Sequence, residues 1–119
     1  DLGIVQKNDI FLLISNSGKT REILELIELS KELDSTIKFI VITGNKNSQL
    51  AKLANVVLLT GSPEEVCALG LAPTTSTTVM NVIGDILVVE TMKQIGFTVE
   101  EYNKRHHGGY LGQRSKKLL

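Results

Sequence analysis

Apolar residues run along this chain in two rhythms. Ile10-Phe11-Leu12-Leu13-Ile14 is an unbroken apolar run of strand length, and its uniformity predicts a strand buried on both faces. From about Thr20 to Leu33 the rhythm is helical, with Ile23, Leu26, Ile27, Ser30 and Leu33 on one face and Asp34-Ser35 at the end. Residues 37–43 are rich in β-branched side chains and predict a second strand. Gly44 to Asn47 reads as a turn, Ser48 as the cap of a short helix over 49–54, and Val56 to Leu59 as a third strand. Strands alternating with helices imply βαβ units with right-handed crossovers. The fold class is therefore α/β, a parallel sheet with flanking helices.

The stretch from Thr60 to Ala72 is irregular, and Pro73 suits the first turn of the helix after it. That helix runs to about Ile95 and carries Val79, Met80, Val82, Ile83, Ile86, Leu87, Val88, Val89 and Met92, so it is apolar nearly all round. Such a helix is buried inside a domain or against another subunit. A chain of 119 residues has little interior to surround it, so an oligomer is expected. Gly96 stops the helix. Thr98 is placed to cap a short one through Arg105, with Glu101 set for a capping box. The remainder, from His106, reads as a tail.

Composition adds limits. Lys plus Arg and Asp plus Glu number 13 each, so overall charge argues for neither nucleic acid nor membrane as partner. One cysteine, Cys67, excludes an internal disulfide and suits a reducing, cytoplasmic setting. These residues show no apolar run of about 20, and no signal peptide is expected among them. The first residue is Asp1 rather than Met, as expected of an excised or processed piece.

The chemistry starts at Ser15-Asn16-Ser17-Gly18-Lys19-Thr20, where the first strand turns into the first helix. A helix start has N–H groups without intrahelical partners and the positive end of the dipole, which together suit an anion. Ser15, Ser17 and Thr20 add hydroxyls, and Gly18 permits close backbone approach. Ser17 or Thr20 is also expected to cap the helix. A Walker A loop is excluded because Leu13 stands where that motif needs glycine. The pattern resembles a flavodoxin phosphate loop too, but without Trp and with two Tyr the chain has few aromatic walls for a flavin.

Ligands of parallel sheets bind beyond the carboxyl ends of the strands. Glu22, residues 44–48, and residues 60–78 with Glu64 and Glu65 lie there. Thr74, Thr75, Ser76, Thr77 and Thr78 either contact an anion or sugar or cap their own helix. Adjacent His106 and His107 point apart on a regular backbone, and the carboxylates show no ligand spacing, so no metal is expected. A histidine ahead of Gly108-Gly109 can instead serve as an acid or base.

These motifs together resemble one family. Ser15-Asn16-Ser17-Gly18 with Glu22-Ile23 resembles the phosphate loop of the sugar isomerase (SIS) domain. Residues 48–55 resemble its second signature, with Asn55 where Asp is usual. Residues 65–78, with Gly84-Asp85, Gly96-Phe97 and His106-x-Gly108-Gly109-x-Leu111-Gly112, resemble the arabinose-5-phosphate isomerase branch, with His107 in place of a proline. The resemblance implies a flavodoxin-like or Rossmann-like three-layer SIS fold. It implies a sugar phosphate as partner, no cofactor, and interconversion of ribulose 5-phosphate and arabinose 5-phosphate through an enediol. Glu22, Glu65 and His106 match the acid/base positions. Ser15, Asn16, Ser17, Gly18 and Thr20 match the phosphate loop, with Thr74, Thr75 and Ser76 as further substrate contacts. A homotetramer with shared sites is implied. The family's earlier strand and its Gly-x-Gly-Lys-Ser loop find no match, so residues 1–119 are expected to be an SIS domain incomplete at its N-terminal side. The trailing CBS domains also find no match, and these residues alone are expected to make a poor enzyme. A regulator's SIS module that senses a sugar phosphate without turnover is the alternative.

Overall fold

The computed structural model describes residues 2–119. After a 3-10 turn at Leu2–Ile4, the order is β1 (Ile10–Ile14), α1 (Arg21–Leu33), β2 (Lys38–Thr43), α2 (Gln49–Leu53), β3 (Val56–Leu59), α3 (Thr75–Gln94), α4 (Val99–Arg105) and α5 (Gly109–Lys116). The chain divides into two compact units, one ending at Ile83 and one beginning at Gly84.

In the first unit the strands form a parallel sheet in the order β1-β2-β3. Phe11 pairs with Phe39 and Leu13 with Val41, so these four side chains share a face. Leu13, Phe39 and Val41 join Ile27 of α1, Leu50 of α2 and Ile37 in one buried cluster, with Ile23, Leu24, Leu26 and Leu53 packed around it. The helical stripe of α1 thus finds its partner. Fully burying one such side chain stabilises by about 1.5–3 kcal/mol. Asn55 closes the cluster's edge. Its Oδ1 accepts from Phe39 N at 2.8 Å, and its own N–H donates to Phe39 O at 2.9 Å.

β1 is not buried on both faces. Ile10, Leu12 and Ile14 are 61%, 47% and 48% exposed. An apolar run specifies what a strand can bury; whether anything covers it is decided by other segments. α3 starts at Thr75, two residues beyond Pro73, and Val82, Ile86, Val88 and Val89 are exposed along it.

In the second unit Thr98 caps α4 by accepting from Glu101 N at 3.2 Å. The capping box is only half made, because the Glu101 carboxylate pairs with Lys104 and Arg105 instead. The expected tail is a helix, α5. Its two glycines hide it from propensity, and packing against α4 supplies what propensity withholds.

Candidate active site

Ser15 follows β1, donates its N–H to Ile42 O at 3.0 Å, and is buried. Its hydroxyl lies 2.7 Å from that of Thr20 and accepts from Gly18 N at 3.1 Å. Ser17 Oγ accepts from Lys19 N at 3.2 Å. Gly18 has φ +64°, and a Cβ there would collide with the Ser48 side chain. Leu50 N donates to Gly18 O at 3.1 Å, while Ser48 Oγ accepts from Ala51 N at 3.1 Å. The start of α2 therefore backs the serine loop. The Asn16 carbonyl accepts from Gly44 N at 3.0 Å and from the Thr43 hydroxyl at 3.2 Å, pinning the loop to the end of β2.

Capping by Ser17 or Thr20 does not occur. Thr20 is the N-cap of α1, but its side chain makes no cap hydrogen bond, being turned to Ser15. Among the described residues the N–H groups of Arg21 and Glu22 have no partner. Open donors at the positive end of a 13-residue helix, ringed by hydroxyls, have the chemistry an anion requires. Glu22 occupies the exposed first turn of the same helix.

A second cluster forms where the 60–74 loop enters α3. One oxygen of Glu65, Oε2, accepts from Thr74 N and Thr74 Oγ1, both at 2.7 Å, and from Ser76 N at 3.4 Å. Thr77 and Thr78 hydroxyls donate back to the Thr74 carbonyl, the self-capping outcome, whereas Thr74 and Ser76 serve Glu65. Thr75 opens the helix beside them. Hydrogen bonds from the side chains of Ser76, first, and Thr74 hold the Glu65 carboxyl down at about 2. A proton-shuttling carboxylate is helped by desolvation that raises its pKa; at Glu65 the hydrogen bonds win. It is an anion at neutral pH, with Oε1 left open among the described residues. The Cys67 sulfur ties the adjacent turn by accepting from Leu71 N at 3.2 Å and Ala72 N at 3.1 Å, and these bonds lower the thiol's pKa.

Beyond the carboxyl ends of β2 and β3 lies a cleft of about 490 Å³, lined by Gly44, Asn45, Lys46, Asn47, Leu59, Gly61 and Ser62. Ser62 donates to the Gly44 carbonyl, and Gly44 bonds to Asn16, so the cleft is continuous in bonding with the serine loop. Sequence reading placed residues 44–48 and 60–78 beyond the strand ends without singling out Lys46 or Ser62. Position past a strand end was the available signal, and a polar turn has the same composition whether or not it lines a site.

His106 belongs to the second unit. It is the C-cap of α4, and its ring stacks on Tyr102 with centroids 4.3 Å apart and planes 10° from parallel. Ser15, Asn16, Ser17, Gly18, Thr20 and Glu22 thus gather at one loop, and Glu65, Thr74, Thr75 and Ser76 at another in the same unit, with His106 in the other unit.

An SIS domain family model matches residues 1–90. The chain belongs to the SIS domain family. It is 46% identical over 114 residues to arabinose 5-phosphate isomerase KdsD of Pseudomonas aeruginosa PAO1, covering 96% of this chain and 34% of that protein. KdsD of Escherichia coli K12 is 45% identical over the same span. A protein from Bacteroides fragilis NCTC 9343, provisionally described as a phosphosugar isomerase involved in capsule formation, is 68% identical with TM-score 0.89, covering 92% of this chain and 57% of that one. The Escherichia coli CFT073 protein c3406, solved in complex with arabinose 5-phosphate, is 35% identical with TM-score 0.82, covering 89% and 55%. The SIS chain therefore spans about a third of the curated relatives' length.

Proposed function

We propose that this SIS domain is part of an aldose–ketose isomerase that interconverts ribulose 5-phosphate and arabinose 5-phosphate. The observation that carries the reading is the uncapped start of α1, where two open N–H groups and the hydroxyls of Ser15, Ser17 and Thr20 suit a phosphate dianion. Similarity to the KdsD proteins and to a structure holding arabinose 5-phosphate supports the pentose phosphate over other anions.

Moving a carbonyl from C2 to C1 takes a proton from one carbon and returns it to the neighbour through an enediol. With the phosphate anchored, the sugar chain reaches along the carboxyl ends of the strands. Glu65, ionised and with one oxygen open, acts as proton acceptor; a bound sugar that strips water from it raises its basicity. Glu22 and His106 are the other acid/base groups, and His106 assists ring opening. Thr74, Thr75 and Ser76 hold sugar hydroxyls. The uncovered apolar face of β1 and the exposed apolar length of α3 support two further readings. One is that polypeptide beyond these residues completes the domain, and the other is a homotetramer.

The test is turnover of arabinose 5-phosphate by the full-length protein; no turnover at any concentration counts against the enzyme. One observation favours a second reading, a sensor that binds the sugar phosphate without converting it: Glu65 is bonded as a helix anchor and held at a low pKa. Substituting Glu65→Gln and His106→Ala separates the two. Lost turnover with retained binding marks the enzyme, and lost binding alone marks the sensor.

A further inference from the structure

We propose that Tyr102 and Gly112 are positioning residues that fix His106 between α4 and α5; this rests on the acid/base reading of His106. Two independent contacts constrain that histidine. The Tyr102 ring, one turn back on α4, stacks on the imidazole, and the His106 N–H donates to Tyr102 O at 3.0 Å. Ring and main chain are therefore both registered on the same residue.

Gly112 constrains the other side. A Cβ at Gly112 would collide with the His106 carbonyl oxygen and stand 2.8 Å from the His107 carbonyl carbon. These are backbone atoms, so no rotamer change relieves the clash. The glycine lets α5 press on the His106–His107 peptide, and it is buried there. The Ser115 hydroxyl lies 3.0 Å from both Asn103 Oδ1 and the Gly112 carbonyl, fastening α5 to α4 at that point.

The imidazole is otherwise exposed, and an exposed side chain samples several rotamers. An acid or base works only within hydrogen-bond reach of its proton. Stacking fixes the ring plane, and the glycine contact fixes the backbone that carries it, before any substrate arrives. Losing either leaves substrate affinity in place and lowers turnover.

The experiment is steady-state kinetics on the full-length protein, with proton NMR of the His106 ring. Tyr102→Leu is expected to lower kcat about 10-fold and Gly112→Ala about 100-fold, with KM within about twofold. Tyr102→Phe, which keeps the ring, restores most of the loss. In a His106→Ala background neither substitution costs more, because both act through that ring. The upfield ring-current shift of the His106 protons collapses in Tyr102→Leu and persists in Tyr102→Phe. Equal losses in Phe and Leu variants overturn the proposal, as do undiminished effects in the His106→Ala background or an unchanged ring shift. Should Gly112→Ala not fold, the Leu and Phe pair decides. Full turnover in His106→Ala overturns the acid/base reading, and with it the catalytic purpose of the clamp, while the ring shift still reports whether Tyr102 holds the imidazole.

Discussion

Glu65 shows how one carboxylate serves two ends. Three hydrogen bonds to Oε2 order the start of α3, and hydrogen bonding from the Ser76 side chain first, then from Thr74, depresses the carboxyl's pKa from 4.5 to about 2. A depressed folded-state pKa contributes stability that is complete above the unfolded value and is lost as pH falls through the folded one. Amide exchange protection at Thr74 and Ser76 is therefore expected to hold above about pH 4.5 and vanish toward pH 2. Protection that persists unchanged at about pH 2 would contradict the bonding. Thr60 is the opposite case. Its hydroxyl is buried at the end of β3 with no partner among the described residues. Thr60→Val is expected to raise stability by about 1 kcal/mol in thermal or urea unfolding. If it lowers stability by as much, the hydroxyl has a partner in solution.

At the scale of elements, the strand–loop–helix unit of β1 and α1 lets the proposed binding be tested apart from stability. Ser17 is exposed and makes one local bond to Lys19 N. Ser17→Ala is expected to change stability by less than about 0.5 kcal/mol while weakening arabinose 5-phosphate binding about 10-fold by calorimetry. Gly18→Ala should disturb both, since the left-handed φ and the Ser48 side chain each oppose a Cβ. Equal affinity in Ser17→Ala and the unaltered protein would move the phosphate away from this loop. The sequence legibly marked this unit, because β1 and α1 differ in period and the hydroxyls cluster between them. The missing cap was not legible, since a Thr at an N-cap has the same letters whether it bonds the helix or Ser15.

For the whole molecule, apolar surface is the telling quantity. Val82 and Ile86, one turn apart on α3, are 52% and 56% exposed, and Val88, Val89 and Ile95 lie bare as well. Monomers seldom leave such a length of apolar helix in water. Val82→Glu with Ile86→Glu in the full-length protein is expected to reduce the oligomer to monomers in sedimentation equilibrium, with helical circular dichroism retained. A monomer before substitution would remove the homotetramer from the reading.

Local physics settled much from the residues alone. Alternating strand and helix periods determined the parallel α/β architecture, and a glycine among hydroxyls after an apolar run marked the loop between β1 and α1. Both depend on neighbours within a few positions, so the letters suffice. Tertiary structure alone decided that one face of β1 stays open, that Thr20 leaves α1 uncapped, that Glu65 is anchored by Thr74 and Ser76, and that α5 presses on His106. Each depends on segments distant in sequence or on a choice between partners, which the order of residues does not specify and packing does.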